Sequence, residues 1–171
     1  MALEIIQSCL EDCPACRFIG KRYTPKDSIG GGYGHKWGEW WANGWFEPLD
    51  RLPHMPIVGD STMAALRVVN GEVEYWIGFF CPVGTEAPEG YEAVDIGPRR
   101  YAVLWKRGDE KNGELYGLES HNLALEELRR RGWIRVEDDW CFERYNCPRF
   151  TTPDAEGRVI LDYGISVEAQ A

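Results

Sequence analysis

Three cysteines, Cys9, Cys13 and Cys16, stand at C-x3-C-x2-C spacing near the start of the chain. That spacing can hold a four-iron cluster, and Cys13-Pro14-Ala15-Cys16 alone matches the C-x-x-C of thiol redox centres. Either chemistry needs a setting that the neighbouring residues do not offer. A radical iron–sulfur enzyme needs a long run of βα units behind the motif, and this chain has only two convincing helical patterns. A redox C-x-x-C opens a long helix, whose N-terminus lowers the pKa of the first thiol. Here Arg17-Phe-Ile-Gly-Lys-Arg-Tyr23 follows, which reads as a strand. Zinc needs four ligands, and Cys81, Cys141, Cys147 and the three histidines supply no second C-x-x-C or H-x3-H. The expectation is free, structural thiols, with no metal and no cofactor. Nothing resembles a Ser-His-Asp or Cys-His arrangement, so covalent catalysis is not expected. The glycine-rich stretch 28–34 lacks the Lys-Ser/Thr of a phosphate loop and reads as a flap beside a site or as a plain connector.

The other residues in excess are aromatic. Eight Trp, eight Tyr and six Phe make 13% of 171 residues, and five of the Trp fall in the first half. Trp carries an N–H that wants a partner and is rarely fully buried, so a ring-lined ligand wall enters as a hypothesis. Trp37, Trp41 and Trp45 recur at helical spacing with Trp40 beside them. The bland reading of such a stripe is core.

The chain length suits one domain with a sizeable core. Nineteen Lys and Arg against twenty-eight Asp and Glu leave a formal charge of −9, which repels phosphate backbones and anionic lipid. No direct nucleic-acid partner and no membrane are expected. The first twelve residues have no basic n-region and carry Glu4, Glu11 and Asp12, unlike a secretion or transit signal. No apolar run approaches the roughly 18 residues of a spanning helix. The expectation is a soluble, cytoplasmic protein.

These residues need elements to hold them. Strands are predicted over 3–8 and 18–23, then a helix over 35–52 weakened by Gly38 and Gly44 and limited by Pro48. A turn at 52–56 leads to strands 63–69 and 73–81 around Asn70-Gly71, the strongest short hairpin signal. Strands over 91–96 and 101–106 follow. A helix over 115–131 has Leu118, Leu125 and Leu128 toward the core and stops at Gly132. Strands 140–146 and 159–167 finish the chain. Both halves, about 1–83 and 91–171, thus read as strand, strand, helix, hairpin, with Pro14 falling on Pro98. Two such units, each with a sheet face too apolar to expose, predict one α+β domain built about a pseudo-twofold axis, with an antiparallel sheet, two helices and a central groove.

The segment from Tyr75-Trp-Ile-Gly-Phe-Phe-Cys-Pro-Val-Gly-Thr-Glu-Ala-Pro-Glu-Gly90 to Tyr101-Ala-Val-Leu-Trp-Lys-Arg-Gly108 resembles the centre of a GyrI-like small-molecule-binding domain. In that family a strand ending in hydrophobic-Gly is followed by a P-x-G-x-E-x-P-x-G loop and an apolar strand. Pro14-Ala15 with Gly20 resembles its opening, and Phe142-Glu-Arg-Tyr145 its late acidic strand. The resemblance implies the duplicated βαββ fold with a ligand groove between the halves and a glutamate at its floor. Such domains serve as effector modules of AraC-like or MerR-like regulators, as gyrase inhibitors and as stand-alone binders, and some hydrolyse the strained cyclopropane of DNA-alkylating natural products. A protein partner, gyrase or a DNA-binding regulator, is implied by this analogy alone.

Glu143 is the residue that the pattern selects. On a strand it shares a face with Cys141 and Tyr145, opposite Phe142 and Arg144; with Phe142 in the core, Glu143 faces the groove. A carboxylate among rings is poorly solvated, which raises its pKa. Trp76 and Phe80 share a strand face with Gly78, opposite Tyr75, Ile77 and Phe79, and the Gly78 side is taken as the wall. Tyr33, Trp37, Trp40 and Trp105 are further wall candidates, and Tyr145 would orient the carboxylate. Two functions follow. The first is binding of flat, apolar or aromatic xenobiotic-like molecules, neutral or cationic, for sequestration or detoxification, through stacking, cation–π attraction and Glu143. The second is a hydrolase of strained cyclopropanes, with Glu143 as general base.

Overall fold

Asn70 and Gly71 turn the chain with both residues at positive φ, 52° and 81°. They join β3 (Met63–Val69) to β4 (Glu72–Cys81) as the hairpin signal predicts. A computed structural model describes this chain over residues 2–55, 63–145 and 147–169; Pro56 of the expected turn and Asn146 of the expected strand lie outside them. The remaining elements are β1 (Glu4–Cys13), β2 (Cys16–Tyr23), α1 (Gly34–Asn43), α2 (Glu47–Asp50), β5 (Glu92–Ile96), β6 (Arg99–Gly108), α3 (Gly117–Arg131), β7 (Cys141–Arg144), α4 (Pro148–Thr151) and β8 (Val159–Val167).

All eight strands form one antiparallel sheet in the order β1-β6-β8-β7-β3-β4-β2-β5. Each half contributes two strands, a helix and a hairpin, but its leading strand crosses over: β1 pairs with β6 of the second half, and β5 with β2 of the first. The duplication is visible in the charges at these crossings. Arg100 bonds Asp12 and Arg17 bonds Asp95, each with its guanidinium Nε at 2.7 Å. The matched pairs put Asp12 on Asp95 and Arg17 on Arg100, one residue off the expected superposition of Pro14 on Pro98. The halves meet at the β3–β7 seam, where Met63 pairs with Arg144, Ala64 with Glu143 and Ala65 with Phe142. Gly78 pairs with Met63 on β4, and Gly164 with Phe142 on β8. Ala64 and Glu143 are therefore both counterparts in the duplication and partners across the seam. The pseudo-twofold axis passes between Ala64 and Glu143.

One face of the sheet carries the helices. Beneath α1 lie Ile19, Ala64, Tyr75, Ile77 and Phe79, and beneath α3 lie Ala102, Leu104, Cys141, Tyr163 and Ile165. The opposite face is filled by Phe18, Met63, Trp76, Phe80, Tyr101, Val103 and Phe142, with Met55 and Trp140 from the connections. α1 is shorter than expected: Gly44 turns left-handed (φ 66°) and ends it, so Trp45 leaves the predicted stripe. The helix buries Trp40 completely and leaves Trp41 64% exposed. α3 buries Ser120, Ala124 and Leu128 at four-residue intervals. Leu118, two residues before Ser120, points away and is 72% exposed, against the expectation.

Gly78 does not open space for a ligand. A Cβ there would meet the carbonyl oxygen of Ile19 at 2.0 Å, and one on its partner Gly20 would meet that of Ile77 at 1.9 Å. The missing side chains let the β2 and β4 backbones approach. Gly78→Ala should destabilise the fold by about 1–3 kcal/mol, the usual range for overpacking, because backbone cannot rotate aside; the midpoint of urea unfolding measures it. Among the described residues no helix is long and apolar enough to cross a membrane.

Candidate functional site

Glu143 occupies the centre of the helix-bearing face, flanked by Ala64 of β3 and Tyr163 of β8. Ala64 contributes only a methyl group, so the space above the axis is left to larger side chains from four directions. From α1 come Tyr33, its N-cap residue, and Trp37. Tyr33 stacks on Tyr75 of β4, centroids 4.3 Å apart and planes within 5°, and Trp37 Nε1 donates to the Tyr75 hydroxyl at 3.0 Å. From α3 comes Tyr116, its N-cap residue. From β6 comes Lys106, whose Nζ lies 3.5 Å over the ring of Tyr163 and donates to Ser120 Oγ at 2.7 Å. Beyond β7, Tyr145 turns back and donates its hydroxyl to Glu143 Oε2. The Tyr145 ring is held edge-on between Trp37 (4.7 Å) and Phe150 (5.0 Å).

The electrostatics follow from burial. Enclosure by rings pushes the Glu143 carboxyl above the usual carboxylate range, and the Tyr145 hydrogen bond and the charge of Lys106 pull it partly back. Lys106 is 2% exposed. Burial brings its ammonium down to about 8, opposed by Glu143 and Cys141. Tyr75, Tyr145 and Tyr116 are held protonated first by burial and then by the Glu143 charge, and Tyr163 by burial, then Cys141 and Glu143. The four phenols are therefore neutral donors around one carboxylate. His121 Nδ1 lies 2.7 Å from the Tyr163 hydroxyl, and burial keeps its imidazole neutral. No group of three or more His, Cys, Asp or Glu side chains among the described residues is placed to hold a metal ion.

Glu143, Tyr145, Tyr33 and Trp37 come together at this place. The others do not. Trp76 and Phe80 lie on the opposite face with Phe18, Phe142 and Gly78; Trp76 spends its N–H on Glu74 at 2.8 Å. The expectation that Glu143 shares a wall with the Gly78 side is thus corrected: Glu143 lies on the Tyr75 face, and Phe142 faces away from the helices. Trp40 is core, its N–H given to the Tyr23 hydroxyl at 2.9 Å. Trp105 also belongs to the far face, capped by the Arg149 guanidinium at 4.1 Å. Sequence reasoning passed over Tyr75, Tyr116, Tyr163 and Lys106. A lysine ending an apolar strand was the one signal that pointed here.

Hollows open elsewhere, around Pro98: one of about 710 Å³ between Arg67, Arg99, Asp139 and Ser166, and one of about 490 Å³ beside Cys13 and Arg100. Glu143 itself is half-buried, with the Tyr145 hydroxyl on its carboxylate.

No protein-family model and no curated protein matches this sequence. Solved structures do. SAV2435 bound to tetraphenylphosphonium superposes with a TM-score of 0.68 at 13% identity, covering 96% of this chain and 95% of that one. The EcmrR C-terminal domain follows with 0.60 at 11%, covering 96% and 98%. An integron cassette protein from the mobile metagenome of Vibrio cholerae gives 0.56 at 11%, covering 98% and 100%. The chain has their fold. At these identities the likeness concerns the backbone, and the cluster around Glu143 rests on this chain's own residues.

Proposed function

We propose that the chain binds flat or multi-ring lipophilic cations between α1 and α3, with Glu143 as the counter-charge and Tyr33, Trp37, Tyr75, Tyr116 and Tyr145 as the ring wall. The observation that carries this reading is a carboxylate beside the pseudo-twofold axis, poorly solvated and surrounded by neutral aromatic groups. Such a site holds a negative charge balanced in part by the buried Lys106, and its rings attract cations through their faces. A ligand cation would replace the Tyr145 hydroxyl on the carboxylate and the rings that pack on it. Two features support the reading: a protein of this fold is seen with tetraphenylphosphonium, and residues 75–108 resemble the GyrI-like domains. The biological role would be sequestration of such compounds, or sensing them on behalf of a DNA-binding or gyrase partner.

Titration with tetraphenylphosphonium, followed by Trp fluorescence, tests the proposal. Saturable quenching is expected because Trp37 lines the wall, with much weaker binding of neutral triphenylphosphine oxide. Equal affinity for the two, or no saturation, overturns it. The pH dependence has a definite sign. Affinity falls as pH drops through the raised Glu143 pKa, because the carboxylate takes a proton. It rises through about 8, where Lys106 loses its charge. Lys106→Met should remove the upper step and tighten binding at neutral pH on the order of tenfold, the ~1–2 kcal/mol of a unit charge at an effective dielectric near 20.

A second reading, hydrolysis of a strained electrophilic ring with Glu143 as general base, is favoured by the same raised carboxyl pKa, which suits proton transfer near neutral pH. Mass spectrometry of the incubated ligand separates the two: saturable quenching of a cyclopropane-bearing aromatic compound without product ends the hydrolase reading.

A further inference from the structure

Cys13 and Cys16 lie away from the carboxylate site, at the corner where β1 ends and β2 begins. Only Pro14 and Ala15 separate them, and the two strands do not pair with each other, so the corner is set by the partners β6, β4 and β5. Both side chains join the cluster on the far face, 4% and 1% exposed, and the Cys13 thiol donates to the Pro14 carbonyl at 3.5 Å. The two sulfurs are not equivalent. Cys13 lines the hollow of about 490 Å³ that opens between Asp12, Pro98, Arg99 and Arg100, and Cys16 does not. A third group belongs to the corner: Tyr101, 1% exposed, in the same cluster, has a hydroxyl with no hydrogen-bond partner among the described residues. A buried donor left over beside two sulfurs is unusual, and negative charge on sulfur would use it.

We propose that Cys13 and Cys16 form a dithiol–disulfide couple, with Cys13 as the attacking sulfur, Cys16 as the resolving sulfur and the disulfide of a small thiol as the oxidant. The Cys13 thiolate attacks one sulfur of the small disulfide, forming a mixed disulfide and expelling one thiolate. The Cys16 thiol gives its proton to that thiolate and attacks the Cys13 sulfur, expelling the second. Two protein thiols and one small disulfide become one protein disulfide and two small thiols. The neighbouring Cys16 pulls the Cys13 pKa down, while Cys13 and then burial push the Cys16 pKa up, which suits those roles. Burial pushes the other buried thiols, Cys81 and Cys141, up to about 11. The neighbouring sulfur here takes the part that a helix N-terminus plays in the usual C-x-x-C setting.

The test equilibrates the wild-type chain with mixtures of reduced and oxidised glutathione, alkylates the remaining thiols, and cleaves after Glu11, which separates Cys9 from the pair. The expected result is loss of two hydrogens from the peptide carrying Cys13 and Cys16, with both protected from alkylation and restored by dithiothreitol. Cys16→Ser should stop at a glutathione adduct on Cys13. The proposal is overturned if both thiols of the wild-type chain stay alkylatable at every ratio, or if the Cys16→Ser adduct sits on Cys9 or Cys147 instead.

Discussion

Glu143→Gln should weaken tetraphenylphosphonium binding by roughly 30- to 150-fold, the ~2–3 kcal/mol of a cation–carboxylate attraction in a poorly solvated site, and leave triphenylphosphine oxide within threefold or so. Gln keeps the shape and can still accept the Tyr145 hydroxyl, so the change isolates charge. The same substitution should raise thermal stability at neutral pH. Burial raises the folded-state pKa of Glu143, so above that value its ionised form opposes folding, whereas below the ordinary carboxylate range the folded and unfolded chains are both protonated and the cost is gone. The melting temperatures of wild type and variant should therefore converge as pH falls. A variant that is both less stable and weaker in binding would mean that Glu143 is a structural residue.

Asp162→Asn should be the most damaging single change to the fold. Asp162 is fully buried on the far face, held by Arg144 Nε at 2.8 Å and Arg149 Nη2 at 2.6 Å. Arg144 reaches on to Glu11 at 3.2 Å. Removing the one fully buried carboxylate of this network leaves two guanidinium groups without their shared partner, and breaking a buried pair in this way costs about 3–5 kcal/mol. Glu11→Gln removes the more accessible partner, and a loss within ~1 kcal/mol is expected. Urea unfolding of both variants measures the contrast, and equal losses would contradict this assignment of the load.

Much of the architecture was legible because turns and helix ends are local. Asn70-Gly71 fixed one hairpin, Gly132 ended α3, and β3 and β8 fall on the expected residues. The side of the sheet was not legible. From Glu74 to Cys81 every residue of β4 is buried, so alternation of apolar and polar residues, the usual guide to faces, is missing. Trp76 and Tyr75 look equally inward in such a strand, and only the position of α1 decides between them. Gly78 compounded the difficulty, since a missing side chain can make room for a ligand or for a neighbouring backbone. For Glu143 the parity with Cys141 and Tyr145 was readable, but its neighbours Lys106 and Tyr163 come from strands brought beside it by the whole topology.

The exchange of leading strands also bears on how this chain becomes a sheet. β1, starting at Glu4, finds its ladder partner at Arg107, so a ribosome must release more than half of the chain before the first strand can be covered. Until then its backbone donors and acceptors wait as an open edge. Pairings of this separation slow folding, and since each half completes the other's edge, the two should fold and unfold together in one cooperative step.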